Sequence, residues 1–327
     1  MARACFTFVC LGALLSIAGA GYGFQSFNDA PVTITPRLRA AAPVRTDSSS
    51  ILRTDSSLVV IPTWVSTASG NSVTTLDKEN FRISQDNVDQ PISYFIKDDA
   101  PLSIGLLFDT SGSMRDKMDK ASEAVAAFFR TANKEDEFFL VEFSDRAKLL
   151  IPFTTDSDMI SRRIEKTKPF GRTSLFDAID VALRQMKKAK HTRKAFVIIS
   201  DGGDNWSRHT SREIRNALAE SDVQLYAMGI FDAEMTNKPA ETKKGPALLD
   251  DLASQSGGRH YPVANLNDLP TISEKIGTDL RNEYLLGFYP VDTRDGKYHH
   301  VKVNLALPDN TQPLRANYRR GYYASTE

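Results

Sequence analysis

Three oxygen-bearing side chains stand at alternate positions where an apolar run of the sequence ends. Asp109, Ser111 and Ser113 lie in LLFDTSGSM, residues 106–114. One carboxylate and two hydroxyls at this D-x-S-x-S spacing fit three kinds of structure: a tight turn, a phosphate-handling enzyme, or a metal site built from oxygen ligands. This short stretch alone does not distinguish among them.

Two further oxygen-bearing residues occupy comparable places later in the chain. Asp201 directly follows the apolar run KAFVIIS and precedes two glycines, and Thr173 lies in FGRTSLFDAI, just before a predicted helix. In a parallel sheet, ligands bind beyond the carboxyl ends of the strands, where the strand order reverses. We therefore expect Asp109 and Asp201, each at the end of a predicted strand, to lie at the same edge.

The apolar pattern from Pro101 onward predicts strands alternating with helices. LSIGLLF, EFFLVEF, KAFVIIS and VQLYAMGI are continuous apolar runs typical of strands buried on both faces, and KLLIPF is a short partner strand. Between the first two runs, Met114, Met118, Ala121 and Val125 recur at three- and four-residue spacings, which predicts an amphipathic helix. The alternation predicts an α/β fold: a Rossmann-like, mostly parallel sheet with helices on both faces.

Strand-like segments flank this region on both sides. LVVIPTWV, NFRIS and QPISYFI precede it, and YHHVKVNLAL and LRANYRRGYYA follow it. We expect the two sets to pair into a small β domain, with the α/β domain as an insertion between them. The predicted ranges are 57–99 for the N-terminal β-strands, 100–281 for the α/β domain and 282–327 for the C-terminal β-strands that pack with 57–99.

The N-terminus predicts export. Arg3, an apolar run and the small residues around Ala20 form the pattern of a secretory signal peptide, predicted over residues 1–20. A signal anchor that is not cleaved is the alternative, and the run is short for a membrane span. Residues 21–56 are rich in Ser, Thr, Pro and Ala and predict a linker or partly ordered arm. Both cysteines, Cys5 and Cys10, fall in the predicted signal, so the mature chain would carry no disulfide, which fits bacterial export. We also expect no membrane span in the mature chain.

The composition is that of a globular protein. Of 327 residues, 41% are hydrophobic and 25% are charged, and 41 lysines and arginines balance 41 aspartates and glutamates. This balance gives no indication of a nucleic-acid partner or of an anionic membrane surface.

Taken together, Asp109, Ser111, Ser113, Thr173 and Asp201 resemble the metal-ion-dependent adhesion site of von Willebrand factor type A (VWFA) domains. All five positions of that site are present in order, and the flanks PLSIGLLFDTSGSM, GRTSLFDAI and VIISDGGDN are also similar to VWFA signatures. The resemblance covers about residues 101–280. The wider layout, with a signal and flanking β-strands, more loosely resembles secreted bacterial VWFA-related proteins.

The resemblance implies a ligand set and a mode of binding. The three hydroxyls of Ser111, Ser113 and Thr173 would bind a divalent cation, and Asp109 and Asp201 would bind it directly or through water. Mg²⁺ is the expected cation because it prefers hard oxygen ligands, with Mn²⁺ or Ca²⁺ as alternatives. In type A domains a partner protein supplies an Asp or Glu carboxylate to the open position.

We therefore predict a secreted or periplasmic, divalent-cation-dependent protein-binding module for adhesion or interaction, and not an enzyme. One alternative is a structural envelope protein that its cation stabilises. Another is a phosphatase-like hydrolase, disfavoured because Ser111 stands where D-x-D phosphatases carry an aspartate as general acid. The five histidines are scattered along the chain.

Residues close to the motif have less definite interpretations. We expect Asp204 and Asn205 to belong to a solvated loop, with a supporting role beside the metal ligands as the alternative. We expect Lys243 and Lys244 to belong to a solvated surface loop, with contact to a partner as the alternative. Trp206 is an exposed contact residue, a lid over the site or an ordinary packing residue.

Overall fold

A computed structural model of the chain describes residues 58–97, 99–231, 244–290, 295–308 and 312–324. The predicted signal, both cysteines, the linker to residue 56 and Lys243 lie outside these ranges. The strands are β1 (Val59–Thr67), β2 (Phe81–Gln85), β3 (Val88–Gln90), β4 (Tyr94–Ile96), β5 (Leu102–Asp109), β6 (Glu137–Phe143), β7 (Ala147–Thr154), β8 (Arg193–Ser200), β9 (Val223–Ile230), β10 (Arg259–Val263), β11 (Tyr284–Phe288), β12 (Tyr298–Leu305), β13 (Leu314–Tyr318) and β14 (Gly321–Tyr323). The helices are α1 (Met118–Phe129), α2 (Ser157–Glu165), α3 (Leu175–Met186), α4 (Ser211–Glu220), α5 (Lys244–Ser256) and α6 (Leu269–Arg281).

The central sheet has six strands in the order β10-β9-β8-β5-β6-β7. All neighbouring pairs are parallel except β6 and β7, which are antiparallel. Every residue of β5 and of β9 is buried, as expected for strands covered on both faces. The predicted α/β fold with a mostly parallel sheet is confirmed.

The strand order reverses between β5 and β8. From β5 the chain continues outward to β6 and β7, and it then returns to the other side of β5 to build β8, β9 and β10. The two strands are in register, with Phe108 opposite Ile199, so Asp109 is level with Ser200 and Asp201 follows one residue beyond at the same edge. This is the crevice at which open α/β sheets bind ligands.

Each face of the sheet has its own apolar core. Leu106 and Phe108 point to a core shared with α1, α2 and α6, and Leu107 points to one shared with α3, α4 and α5. Gly105 leaves room for two aromatic rings, because a Cβ there would lie 2.4 Å from Phe139 Cζ. The alternation of side chains along β5 thus divides the helices into two layers.

The flanking strands form two antiparallel sheets. Their orders are β13-β1-β11-β4 and β14-β12-β2-β3, so each combines strands from both sides of the α/β region. Their facing residues, among them Ile61, Phe81 and Leu286, form a third apolar core. The expected pairing of N- and C-terminal strands is confirmed, whereas the domain ranges given above remain a prediction.

One helix boundary differs from the sequence pattern. Met114 is buried but lies in a 3₁₀ turn, Gly112–Lys117, and the α-helix begins at Met118. A short 3₁₀ turn, Leu266–Asp268, also precedes α6. Apolar spacing does not distinguish a 3₁₀ turn from the first turn of an α-helix. Within the described residues, no helix combines the length and the apolar character that crossing a membrane requires.

Candidate metal centre

Asp109 is the last residue of β5, and its side chain is fully buried. Each carboxylate oxygen accepts one hydrogen bond. The backbone N–H of Ser111 donates to Oδ1 at 2.8 Å, and the Ser200 hydroxyl donates to Oδ2 at 2.6 Å. Two donors on opposite oxygens fix the orientation of the carboxylate at the sheet edge.

The two serines of the motif present their hydroxyls together. Ser111 Oγ and Ser113 Oγ lie 3.0 Å apart. Ser111 is buried, whereas Ser113 is exposed at the start of the 3₁₀ turn. The motif therefore leads from a buried carboxylate to a hydroxyl that is open to solvent.

Asp201 follows β8 directly and is half-buried. The pKa of Asp109 is raised from 3.8 to about 6, because burial and the negative charge of Asp201 raise it by more than the hydrogen bonds from Ser200 and Ser111 lower it. The two carboxylates are thus close enough to repel each other. A cation between them would reverse this repulsion.

Thr173 is buried in the loop before α3, and this loop is bound to the motif loop through its backbone. Gly112 N–H donates to the carbonyl of Gly171 at 3.0 Å, and Phe170 N–H donates to the carbonyl of Thr110 at 2.8 Å. Gly171 has φ +75°, and a Cβ there would lie 2.6 Å from Asp145 Oδ1, so the position requires glycine.

The loop after β8 holds Thr173 from the other side. Asn205 Oδ1 accepts from the backbone N–H of Thr173 at 3.0 Å, and the Thr173 carbonyl accepts from the N–H groups of Asn205 and Trp206. Asp204 Oδ2 accepts from Phe176 N–H at 3.0 Å, in the first turn of α3. Asp204 and Asn205 lie in a loop, as expected, and Asn205 is exposed. Both side chains also accept from backbone N–H groups at the start of α3 and just before it, which agrees with the alternative of a supporting role beside the site.

The donor chemistry fits a hard divalent cation. The five predicted residues have two carboxylates and three hydroxyls, with no thiolate or imidazole, and lie in the loops at the carboxyl ends of β5 and β8 and before α3. The described residues include no group of three or more His, Cys, Asp or Glu side chains that could hold a metal ion. The candidate centre is of another type, since three of its five candidate ligands are hydroxyls.

Residues 104–203 match the family model of the von Willebrand factor type A domain. The chain contains a type A domain. The matched range begins within β5 and ends just beyond Asp201, so it includes all five candidate ligands.

Relatives of the type A domain are distant in sequence. An uncharacterized protein of Borreliella burgdorferi is 22% identical over 186 residues, which are 50% of this chain and 54% of that protein. The chain thus spans about half the length of this curated relative.

Among solved structures, a von Willebrand factor type A structure from Catenulispora acidiphila has a TM-score of 0.49 and 16% identity, and the similarity covers 74% of this chain and 65% of that one. A mussel byssus protein, proximal thread matrix protein 1 with a zinc-occupied metal-ion-dependent adhesion site, has a TM-score of 0.47 and 20% identity over 59% of this chain and 48% of that one.

Sequence reasoning missed residues that support the site of the type A domain. Ser200 binds Asp109, and Asp145 Oδ1 accepts from Arg172 N–H at 2.7 Å next to Gly171. The sequence around Ser200 could have indicated its role, because Ser200 is a polar residue at the end of an apolar strand. No sequence pattern indicates the role of Asp145, since its contact with Arg172 forms only in the folded chain.

Trp206 is half exposed beside this centre. The guanidinium carbon of Arg172 lies 3.7 Å from the centre of its ring. This exposure disagrees with an ordinary packing residue and is compatible with the other two interpretations, an exposed contact residue or a lid. Lys244 is the first residue of α5 rather than part of a loop.

Proposed function

We propose that the chain is an exported protein-binding module that recognises a partner through a divalent cation, Mg²⁺ in the first instance. Asp109, Ser111, Ser113, Thr173 and Asp201 would hold the cation. When bound, the cation supplies a Lewis-acidic coordination position for a carboxylate oxygen, from an Asp or Glu of the partner protein.

One observation supports this proposal most directly. Asp109 is a fully buried carboxylate at the carboxyl end of β5, and its pKa is raised by burial and by Asp201. A buried charge that has a like-charged neighbour is costly to the fold unless a cation offsets it. Hydroxyls are the further ligands expected around such a cation.

The accessibility of the centre favours binding from outside. Ser113 is exposed and Asp201 is half-buried, whereas Asp109, Ser111 and Thr173 are buried. The buried residues would hold the cation from the protein side, and the exposed side would remain accessible. A partner's carboxylate can reach this side without displacing protein structure.

Three further parts of the proposal rest on the sequence alone. The signal pattern of residues 1–20 supports export to the periplasm or beyond. The domain ranges 57–99, 100–281 and 282–327 are those of the predicted β and VWFA-like domains. A binding role rather than an enzymatic one is supported by Ser111, which stands where a phosphatase would carry its second aspartate.

Isothermal titration calorimetry of the protein with Mg²⁺, Mn²⁺ and Ca²⁺ tests the cation. Saturable binding that the Asp109→Ala variant loses is the expected result, because one remaining carboxylate no longer offsets the cost of dehydrating the ion. Absence of binding by the wild-type protein, or equal binding by the variant, would refute the proposal.

A second measurement separates recognition from mere stabilisation. A fluorescein-labelled peptide with one Asp should bind in Mg²⁺ but not in chelator, and its Asn counterpart should bind in neither. A cation that raises the melting temperature without any carboxylate binding would favour the structural alternative. Hydrolysis of a generic aryl phosphate by wild type and not by Asp109→Ala would favour the phosphatase-like one.

A further inference from the structure

Two exposed aromatic side chains flank the candidate centre. Among the described residues, eight large apolar side chains are exposed, and two of these are Phe170 (59%) and Trp206 (50%). The backbone of each is hydrogen-bonded to a loop that carries candidate ligands. Phe170 N–H donates to the carbonyl of Thr110, and Trp206 N–H donates to the carbonyl of Thr173. Exposed apolar surface of this kind marks interaction sites, and aromatic residues dominate binding energy when a partner covers them.

The Trp206 ring is held in place before any partner arrives. Arg172 stacks on the ring at 3.7 Å, and the backbone N–H of Arg172 is fixed by Asp145 Oδ1. The backbone of Trp206 is fixed in turn by Thr173. A preordered aromatic surface loses little conformational entropy on binding, so more of its contact energy appears as affinity.

A cleft of about 730 Å³ opens beside Trp206. Two of its three acidic side chains are paired with cationic groups, since Asp177 accepts from His209 at 2.7 Å and Asp180 pairs with Arg184. The third, Asp145, is exposed and accepts from the backbone N–H of Arg172. The cleft's other two cationic side chains, Arg146 and Arg208, are exposed and form no ion pair with any described residue. The cleft therefore offers two free guanidinium groups, which bind carboxylates in planar, two-point fashion.

A second cleft, of about 430 Å³, continues past Arg146 to Phe170. It shares Asp145 and Arg146 with the first, and it also contains Thr110 of the motif loop. Together with Arg172 and Trp206, the two clefts form a continuous rim along one side of the candidate centre, which we call the aromatic–arginine rim.

We infer that the partner is an acidic protein segment that contacts the aromatic–arginine rim as well as the cation. One carboxylate would reach the cation, an aromatic or aliphatic side chain would lie on Trp206, and at least one further carboxylate would bind Arg146 and Arg208. Charge complementarity favours this occupant, because the cleft has two cations without an ion pair, Arg146 and Arg208, against one such carboxylate, Asp145. The inference rests on the proposed function and specifies the chemistry of its partner.

The test uses three labelled glycine–serine peptides and the whole protein loaded with Mg²⁺. The first peptide carries one Asp, the second adds a Phe, and the third adds the Phe and two Glu residues. Fluorescence anisotropy should show rising affinity from the first to the third, with a gain of about tenfold or more overall, equivalent to ~1.4 kcal/mol. An Asn-for-Asp version of the third peptide measures what the rim contributes without the cation.

Variants assign this gain to the rim. The double variant Arg146→Ala/Arg208→Ala should reduce binding of the third peptide to the level of the second, and Trp206→Ser should reduce that of the second to the level of the first. The matched control is Arg315→Ala/Arg320→Ala, which removes two exposed arginines from the β13–β14 region and should change neither. Mg²⁺ affinity should be the same in all three variants.

Tryptophan emission locates the contact. The chain has two tryptophans, and Trp64 is only 3% exposed, so a change of emission on adding the third peptide reports on Trp206. Equal binding of the three peptides, binding that the double variant leaves unchanged, or no binding of the third peptide to Mg²⁺-loaded protein each overturns the inference. Failure of Mg²⁺ itself to bind contradicts the proposed function instead, so the two failures are distinguishable.

Discussion

The hydroxyl of Ser200 donates a 2.6 Å hydrogen bond to Oδ2 of Asp109, across the point where the strand order of the central sheet reverses. Ser200 Oγ also accepts from the backbone N–H of Gly202 at 3.0 Å. Through these two bonds, Ser200 connects the buried carboxylate to the loop that carries Asp201. The geometry of the candidate centre therefore depends on a residue that would not itself bind the cation.

Replacing Ser200 with alanine should weaken Mg²⁺ binding without abolishing it. The change removes a donor from a buried carboxylate, which raises the pKa of Asp109 further and frees its orientation, and supporting residues of this kind typically contribute about 10- to 100-fold in metal affinity. Calorimetry of Ser200→Ala measures the loss. Ser273→Ala is the matched control, since Ser273 is buried in α6 and its hydroxyl has no hydrogen-bond partner among the described residues. Wild-type affinity in Ser200→Ala would show that Asp109 does not need this donor.

Much of this centre was predictable from local sequence. The strands β5 and β8 are continuous apolar runs that end at an aspartate or just before one, and strand–helix alternation makes them parallel, so Asp109 and Asp201 must share an edge. The spacing of Ser111 and Ser113 is likewise a local property. These features follow from periodicity and connectivity alone.

The support of Thr173 was not predictable in this way. Thr173 N–H is held by Asn205, 32 positions further on, and its loop meets the motif loop where Gly171 contacts Gly112, 59 positions apart. Neither pair shows a pattern in the sequence, because the contact exists only after β5, α3 and β8 have packed together. The same holds for the register of β1 against β11, which joins residues more than 200 positions apart.

Replacing Asp109 with asparagine should stabilise the cation-free protein. The pKa of Asp109 is raised from 3.8 to about 6, so the ionised carboxylate destabilises the folded state at neutral pH by about 3 kcal/mol. Asparagine keeps the shape, and Ser200 Oγ can turn to accept from its amide. Denaturant unfolding in chelator should show the variant to be more stable than wild type, while calorimetry shows that it no longer binds Mg²⁺.

The stability difference between Asp109→Asn and wild type should depend on pH in a defined direction. Because the folded-state pKa lies above the ordinary value, the destabilisation is present above about pH 6 and disappears as the pH falls from there towards 3.8. The advantage of Asp109→Asn should therefore shrink across that window. Asp116→Asn, a change of the same charge at an exposed position of the 3₁₀ turn, controls for net charge. A variant that is less stable than wild type in chelator at neutral pH contradicts the account.

His299 should make the β region more stable in its protonated form. Burial lowers the pKa of His299, but contacts with Asp86 at 2.7 Å and Asp295 at 3.1 Å outweigh this and raise it above 6.5. The stabilisation is complete below 6.5 and is lost as the pH rises through the raised value, a modest effect of up to about 1 kcal/mol for a partly solvated pair.

Unfolding of His299→Gln over a range of pH tests this prediction. The difference from wild type should be largest in mildly acidic solution and should fade at alkaline pH. His300→Gln is the neighbouring control. The centre of the His300 ring lies 5.2 Å from that of Tyr298, and removing this ring leaves the contacts of His299 with Asp86 and Asp295 intact. A difference that grows with rising pH has the wrong sign and excludes the charged interaction.

Asn205 should act on the cation through Thr173. Removing the side chain in Asn205→Ala leaves the part-buried N–H of Thr173 without its 3.0 Å acceptor, which should lower stability by about 1 kcal/mol and weaken Mg²⁺ binding several-fold. Asn71→Ala is the control, since the Asn71 side chain donates to Ser69 in an exposed turn. Calorimetry and denaturant unfolding give the two quantities.

A double-mutant cycle decides whether the effect passes through Thr173. If Asn205 serves only to position Thr173, then adding Asn205→Ala to Thr173→Ala should cause little further loss of Mg²⁺ affinity, because the ligand that Asn205 positions is already absent. Additive losses would mean that Asn205 acts on the centre by another route, through the Trp206 backbone or the loop that carries Asp201. The coupling of these two residues is therefore a direct measure of whether the loop after β8 supports the cation ligand, as its hydrogen bonds indicate.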